Sequence, residues 1–305
     1  MTPTLTFTPP QADFYTWQRY RCAYEFYPGE ASQTPLLLIH PIGVGLSREF
    51  WHRFCEQWQG QGARNPIYSP DLLGCGESTM PQVAYYPEDW AAQLLVLIQT
   101  VIQQPVILVV QGALLPVAIR LMQQLPAQQS DWVKGIILSG PPAWRVMTEA
   151  APLNRQRALW NLFFAAPVGQ LFWQYARRRK FVESFSIRQL FADSAAVDAQ
   201  WLNMLERGAV RSESRYAVFS FLAGFWRQNY GADMAGIAQP TLVIFGDRAS
   251  SISRSGLTEA PPDRCRAYSQ GWGNATCEIL PGRNVLPYES PVEFVQAVSQ
   301  WCARL

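Results

Sequence analysis

The sequence predicts an α/β protein in which a mostly parallel, eight-stranded sheet is covered by helices on both faces. Short apolar runs of the kind that fill the middle of a sheet recur along the chain, and segments of helical periodicity alternate with them. Strands separated by helices pair in parallel, because a parallel connection needs a long crossover. A helical stretch over residues 145–235 interrupts this alternation and predicts an inserted helical lid.

Two β-rich segments on either side of a tight break open the chain, and a continuous apolar run follows as a central strand. The predicted strands are Phe14–Trp17, Tyr20–Tyr27, Leu36–His40, Ile67–Ser69, Val106–Val110, Gly135–Ser139, Leu242–Phe245 and Cys277–Leu280. The predicted core helices are Glu49–Gln59, Pro87–Gln103, Leu114–Gln124 and Val292–Leu305. The core therefore comprises residues 1–144 and 236–305, with the lid of residues 145–235 inserted into it.

Composition limits the classes of function. A chain of 305 residues with 49% hydrophobic content can bury a large core, and a net charge of +2 gives no reason to expect a nucleic-acid partner. The first residues lack the basic and apolar regions of a secretion signal, and no apolar run is long enough to span a bilayer, so a cytoplasmic protein is expected. Six cysteines without C-x-x-C spacing predict reduced thiols, and neither a metal nor a cofactor is expected.

Several ordered motifs carry a resemblance to a known family. In the first half these are Leu36–Gly45 with its His40-Pro41 pair, Trp51, Ser69–Ser78 with Asp71, Gly74 and Gly76, and then Tyr85 and Trp90. In the second half they are Gln239–Asp247 and Pro281–Pro291. In this order the chain resembles α/β hydrolases of the epoxide-hydrolase and lactonase type. The resemblance covers nearly the whole chain outside the lid, and it implies the α/β-hydrolase fold.

The resemblance also implies a catalytic triad, and here the sequence departs from the family. In the family, the nucleophile stands on a sharp G-x-S-x-G turn between a strand and a helix, and Gly112 occupies that position. The position of the acid is Ala249, and the position of the base is Asn284. Glycine accepts the positive φ that such a turn requires, so we expect Gly112 to preserve the turn.

The absent triad predicts that conventional hydrolysis is lost. A serine hydroxyl is a poor nucleophile until a base takes its proton, and the two histidines of the chain, His40 and His52, both precede the predicted nucleophile turn. Cys75, in a Gly-Cys-Gly loop, is a weaker nucleophile candidate that would need a lowered pKa. A small residue in a tight turn explains Cys75 better, and core packing explains His52 and Cys55 better.

A ligand site is nevertheless expected where the predicted strands end, because ligands of open α/β sheets bind at the carboxyl ends of the strands. In the family, the histidine of a His-Gly pair organises the loop that lends an N–H to the oxyanion hole, and Pro41 replaces that glycine here. The candidate pocket residues are His40, Ile42, Gly43, Asp71, Gln111, Ala113 and Trp144. The backbone N–H groups of Ile42 and Ala113 would be among its few polar points.

The lid combines aromatic and basic residues. From Arg145 to Asp233 there are twelve Arg and Lys against seven Asp and Glu. Its aromatic residues include Trp160, Phe163, Phe164, Phe172, Trp173, Tyr175, Trp201, Phe219, Phe221, Phe225 and Trp226. They predict a roof over an apolar pocket for a lipid-like, prenyl-like or pigment-like ligand. The basic cluster Arg177, Arg178, Arg179 and Lys180 also allows weak peripheral contact with an anionic membrane.

Two classes of function follow from these observations. The first is a non-catalytic α/β-hydrolase-fold protein that binds an apolar ligand or a protein partner, as the gibberellin receptor of this superfamily implies is possible. The alternative is an esterase- or lipase-like hydrolase that acts on an apolar ester with an unrecognised catalytic set. The fold alone does not decide between them.

Overall fold

A single eight-stranded sheet forms the centre of the protein, with the strand order β1-β2-β4-β3-β5-β6-β7-β8. The computed structural model describes residues 7–161, 167–251 and 259–305. The strands are β1 Asp13–Trp17, β2 Tyr20–Tyr27, β3 Leu36–Ile39, β4 Ile67–Pro70, β5 Val106–Gln111, β6 Val133–Ser139, β7 Thr241–Gly246 and β8 Ala275–Leu280. Strand β2 pairs antiparallel with β1 and β4, and the other pairs are parallel. The predicted α/β-hydrolase fold is confirmed.

Helices follow the strands and cover both faces of the sheet. In chain order they are α1 His52–Gly60, α2 Pro87–Leu97, α3 Leu115–Gln124, α4 Trp144–Thr148, α5 Leu153–Leu159, α6 Pro167–Ala176, α7 Arg179–Phe185, α8 Ala199–Gly208, α9 Arg215–Ala223, α10 Gly231–Ala235, α11 Pro261–Gly271, α12 Leu286–Glu289 and α13 Pro291–Cys302. The predicted helix Pro87–Gln103 is divided, because α2 ends at Leu97 and a π-helical turn continues over Ile98–Ile102. Helices α4 to α10 lie between β6 and β7, where the lid is predicted.

The central strands are apolar on both faces, which explains their continuous rather than alternating hydrophobic pattern. Leu37 and Ile39 of β3 join the hydrophobic cluster that includes residues of α2 and α3. Leu36 and Leu38 of the same strand join the opposite cluster, with residues of α1 and α13. The sheet is therefore buried between two helical layers, and in the central strands β3, β5 and β7 the polar side chains lie only at the strand ends.

Helix α8 fixes one side of the lid to the core through two glycines. A Cβ added to Gly45, in the loop after β3, would lie 1.9 Å from the carbonyl oxygen of Leu205. A Cβ added to Gly208 would lie 2.1 Å from the carbonyl oxygen of Gly45. Gly45 also has a φ of +75°, which L side chains rarely adopt. Backbone packs directly on backbone here, so both positions require glycine.

A disulfide corrects the expectation that all the cysteines are reduced. Cys265 of α11 and Cys277 of β8 are bonded, with their Cα atoms 5.5 Å apart. The prediction was wrong for this pair because the bond depends on the packing of α11 against β8, which C-x-x-C spacing does not report. Cys22, Cys55 and Cys75 are free and buried, and Cys302 is free and half-buried.

In the part of the chain that the structure describes, no helix is both long enough and apolar enough to cross a membrane.

Candidate functional site

The turn after β5 has the geometry of a nucleophile elbow, but it carries no nucleophilic side chain. Strand β5 ends at Gln111, a short 3-10 turn covers Gly112–Leu114, and α3 begins at Leu115. Gly112 has a φ of +62°, as expected for a sharp strand-to-helix turn, so this prediction is confirmed. Among the residues that the structure describes, a Cβ added to Gly112 would meet no atom within 4 Å beyond its chain neighbours, and Gly112 is half-buried. The described residues therefore leave room for a side chain at the elbow.

The loops after β7 and β8 meet beside this elbow. Asn284 accepts a hydrogen bond from the Ser250 N–H at its Oδ1 (3.3 Å) and donates from Nδ2 to the Ser250 carbonyl (3.1 Å). Ala249, directly before Ser250, is buried. The Gln111 side chain donates from Nε2 to the Asn284 carbonyl at 2.7 Å, which joins the elbow to the β8 loop. The fold therefore brings together the three positions predicted for a triad, and none of the three side chains is a nucleophile, an acid or a base.

Two buried polar atoms beside the elbow have no hydrogen-bond partner among the described residues. They are Oε1 of Gln111 and Oγ of Ser139, and these residues are register partners at the ends of β5 and β6. An unpaired buried acceptor has a free-energy cost of about 1–3 kcal/mol. The Gln111 amide therefore offers an unused acceptor, and the Ser139 hydroxyl offers both a donor and an acceptor.

His40 is a buried residue directly after β3, and both of its ring nitrogens are engaged. It is fully buried, its Nδ1 lies 2.9 Å from the Pro41 carbonyl oxygen, and its Nε2 accepts a hydrogen bond from the Leu72 N–H at 3.0 Å. Burial lowers the pKa of His40, against the opposing effects of the Asp71 charge and the Pro41 hydrogen bond. With both ring nitrogens engaged and the neutral form favoured, His40 joins two loops and has no free nitrogen to serve as a base.

Asp71 belongs to a buried ionic cluster centred on Arg48. Its carboxylate accepts hydrogen bonds from the N–H groups of Arg48 (2.9 Å) and Glu77 (2.8 Å), and it pairs with the Arg48 guanidinium. Arg48 also pairs with Glu77 and, at 2.8 Å, with Glu25, which in turn accepts from His52. Asp71 is fully buried, so its role is to hold the loop after β4. This cluster could not be predicted from the sequence, because no spacing rule relates Glu25, Arg48 and Asp71.

The other predicted pocket residues have different environments. Ile42 is buried, and Gly43 and Ala113 are half-buried beside it and beside Gly112, respectively. Trp144 begins α4, and its ring packs edge-on against Tyr268 at 5.1 Å and over Gly271 of α11. Ala113 therefore lies in the elbow turn and Ile42 and Gly43 lie in the loop after β3, whereas the described contacts of Trp144 are with α11.

The Cys75 thiol is not an activated nucleophile. The residue is buried, and burial raises the pKa of this thiol, with the Asp71 charge acting in the same direction. A nucleophilic cysteine needs the opposite shift, toward thiolate at neutral pH. Cys75 therefore fits the expectation of a small residue in a tight turn.

The lid aromatics pack largely against the core and each other. Trp173, Trp201 and Phe219 are fully buried, and the Trp201 indole donates to Ser186 at 2.9 Å while its ring meets Tyr288 at 4.7 Å. Phe163 and Phe164 lie outside the described residues. Two surface cavities, of about 330 and 340 Å³, are lined by residues of α6 to α8 and of the β7 and β8 loops, and neither is lined by Gly112. The apolar pocket expected above Gly112 therefore stays a prediction.

The comparisons with known proteins agree with this architecture. The model of the alpha/beta hydrolase family matches residues 36–297. A search of curated proteins found no match to the chain. Among solved structures, an esterase from Thermogutta terrifontis has a TM-score of 0.71 at 18% identity, covering 97% of this chain and 99% of its own.

Two further structures are similar to the same extent. A serine hydrolase involved in carbazole degradation has a TM-score of 0.73 at 16% identity, with 97% of this chain and 99% of its own covered. An enol-lactonase from Burkholderia xenovorans has a TM-score of 0.69 at 15% identity, with 95% and 100% covered. At these identities the similarity shows the shared fold. Because the family model spans most of the chain, this protein belongs to the alpha/beta hydrolase family.

Proposed function

We propose that this protein binds an apolar ligand in the space above Gly112 without hydrolysing it. The observation that carries the proposal is the elbow itself, which has the positive φ and the open space of a nucleophile site but no side chain that could attack. A hydrolase of this fold needs a nucleophile and a base that act together. Neither histidine supplies the base, since His40 is engaged at both nitrogens and His52 is bonded to Glu25.

The polar groups near the elbow suit recognition of one oxygen-bearing group on an apolar molecule. The unpaired Oε1 of Gln111 accepts a hydrogen bond from a hydroxyl or an amide, and the Ser139 hydroxyl donates to a carbonyl. Backbone N–H groups of Ile42 and Ala113 are expected to flank the same space, and two such donors suffice for a single oxygen. The ligand class is therefore a lipid-like, prenyl-like or pigment-like molecule with one polar end.

The second candidate is a hydrolase that acts on an apolar ester, and the comparisons favour it. The family model is that of a hydrolase family, and the three similar structures are an esterase, a serine hydrolase and an enol-lactonase. A catalytic set in this chain would have to use groups other than those at residues 112, 249 and 284.

Native mass spectrometry of protein purified from its own source tests the binding proposal. We expect one co-purified apolar molecule per protein chain, detected as added mass. We expect this added mass to be lost in Gly112→Leu, because the leucine side chain would fill the space above the elbow. Gly62→Leu is the matched control, since Gly62 has a φ of +68° and equally open surroundings in a turn before β4. Equal occupancy in both variants, or none in the wild type, would contradict binding above Gly112.

Hydrolysis assays separate the two candidates. We expect no cleavage of p-nitrophenyl esters above the buffer rate and no labelling by a fluorophosphonate probe. We also expect none in Gly112→Ser, because an inserted serine still lacks a base. Turnover by the wild-type chain, or stoichiometric labelling of a serine, would decide in favour of the hydrolase.

A further inference from the structure

Helix α6 presents an apolar stripe to the outside of the lid. Leu171 is 73% exposed, Val168 53% and Tyr175 52%, and their spacing places them on one helical face. The opposite face, with Gly169, Trp173 and Ala176, is buried. Phe172, at the edge of the stripe, is 40% exposed and packs on Phe219. The helix is therefore apolar on both faces, although one face lies outside the core.

Basic side chains follow this stripe directly. Arg177, Arg178 and Lys180 form no ion pair with any described residue, and Arg178 and Lys180 are exposed. Arg179 is the exception, because it pairs with Glu206 at 2.6 Å. The charge of Glu206 is neutralised by this ion pair. Glu183 of α7 adds one further negative charge nearby, so the four basic residues retain a net positive charge.

A groove of about 330 Å³ separates the basic residues from α8. It is lined by Gln174, Arg177, Arg178, Arg179, Glu206, Ala209 and Val210. Arg177 is held in place because it donates to the carbonyls of Ala209 (3.3 Å) and Val210 (3.4 Å). Val210, at the groove, is 68% exposed and adds to the apolar surface. The groove thus presents guanidinium donors between two exposed apolar surfaces.

We propose that this face, comprising the outer stripe of α6 and the Arg177–Lys180 cluster, docks the protein onto an anionic lipid bilayer. Guanidinium groups bind compact anions such as a headgroup phosphate through paired hydrogen bonds. Exposed aliphatic side chains beside them enter the boundary between headgroups and acyl chains, which is how interfacial helices bind. Charge complementarity and the exposed stripe together select a surface that is anionic outside and apolar beneath.

Vesicle sedimentation with the full-length protein tests the proposal. We expect binding to phosphatidylcholine vesicles that contain about one-third phosphatidylglycerol and none to phosphatidylcholine alone, because each cation near an anionic surface strengthens binding roughly fivefold. Arg178→Glu with Lys180→Glu should weaken binding at least about 25-fold by the same factor applied twice. Raising the salt concentration from about 0.05 M to about 0.5 M should also weaken vesicle binding, because salt shortens the Debye length and screens the attraction between the basic residues and the anionic lipids.

Matched variants separate this face from overall charge and overall hydrophobicity. Arg19→Glu with Arg304→Glu makes the same change in net charge at two exposed positions of the core and should leave binding unchanged. Val168→Ser with Leu171→Ser should weaken binding about tenfold, by removing the inserted aliphatic groups. Val292→Ser with Leu305→Ser is its control, since these residues are 48% and 51% exposed and Val292, like Val168, follows the first proline of a helix.

Three outcomes would overturn the proposal. The first is the absence of binding to anionic vesicles, and the second is equal binding to neutral ones. The third is equal loss in the α6 variants and their controls. If the wild-type chain instead forms a dimer that Leu171→Ser disrupts, and does not bind vesicles, the face is a contact between copies of this chain and the bilayer proposal fails. Circular dichroism of each variant confirms that it is folded.

Discussion

The elbow follows β5, the Arg48 cluster joins the loops after β3 and β4 to Glu25 of β2, and the two regions treat polar groups in opposite ways. In the Arg48 cluster, each oxygen of Asp71 accepts at least one hydrogen bond and the guanidinium meets three carboxylates. At the elbow, Gln111 retains an acceptor without a partner among the described residues, and Gly112 contributes no side chain. One region is closed and charged, and the other is open and neutral.

This difference separates the groups that build the scaffold from those that would act on a ligand. Arg48, Asp71 and His40 join the loops after β3 and β4 through hydrogen bonds and ion pairs that engage their polar groups. The loops are therefore held in place independently of any catalytic residue. Buried ion pairs and backbone contacts therefore maintain the shape of these loops.

The largest effect is expected from breaking the closed region. Asp71→Asn removes the fully buried charge that pairs with Arg48 and should lower the free energy of unfolding by about 3 kcal/mol. This value is at the lower end for a broken buried ion pair, because Glu25 and Glu77 still pair with Arg48. Urea unfolding followed by tryptophan fluorescence measures this. Asp131→Asn, at an exposed carboxylate 3.3 Å from Lys134, should cost less than about 0.5 kcal/mol. Similar losses in both variants would contradict a special role for the cluster.

Acid should weaken the same region to a lesser extent. Burial lowers the pKa of His40 below its ordinary value of 6.5, so the unfolded chain binds the proton more readily and stability is lost as the pH falls through 6.5. Burial raises the pKa of Glu25, but hydrogen bonds and charges from His52, Arg48 and Tyr27 outweigh the effect of burial and lower this pKa overall. The contribution of Glu25 to stability is therefore lost as the pH falls below 4.5.

Urea midpoints measured from neutral pH down to about pH 5 test the histidine contribution, since Glu25 stays ionised in this range. The wild type should lose stability across the range, and His40→Asn should lose less. An equal slope in the variant would assign the acid sensitivity to another group.

The smallest effect is expected at the open region. Gly112→Ala places a methyl group in open space at a φ of +62°, so it should cost only the conformational strain of about 1 kcal/mol. Gly62→Ala, with a φ of +68° and similarly open surroundings, should cost the same in the purified, ligand-free protein. A much larger loss at Gly112 by thermal denaturation would show that the space above the elbow is already filled, and it would erase the contrast between the two regions.

The order of strands and helices could be predicted because apolar runs and helical periodicity are local signals. The predicted strand Tyr20–Tyr27 has the observed bounds, and the others differ by one or two residues at their ends. Helix α11 was missed, because its buried residues are Arg264 and Tyr268 rather than a periodic apolar face. The prolines and Asp263 at its start were the available signal.

The candidate site was predictable only where a motif fixes the backbone. The φ of Gly112 followed from the turn that its position implied, and the structure confirms it. The environments of His40 and Asp71 depend on Arg48 and on the Leu72 N–H, which are brought near by tertiary packing. These contacts could not be inferred from the position of His40 and Asp71 after a strand.

The contact between Gly45 and Gly208 joins the lid to the loop after β3. The two backbones meet with no side chain between them, so a displacement of α8 would press directly on that loop, which includes Ile42 and Gly43. A displacement of the lid at this point would therefore be accompanied by a displacement of that loop.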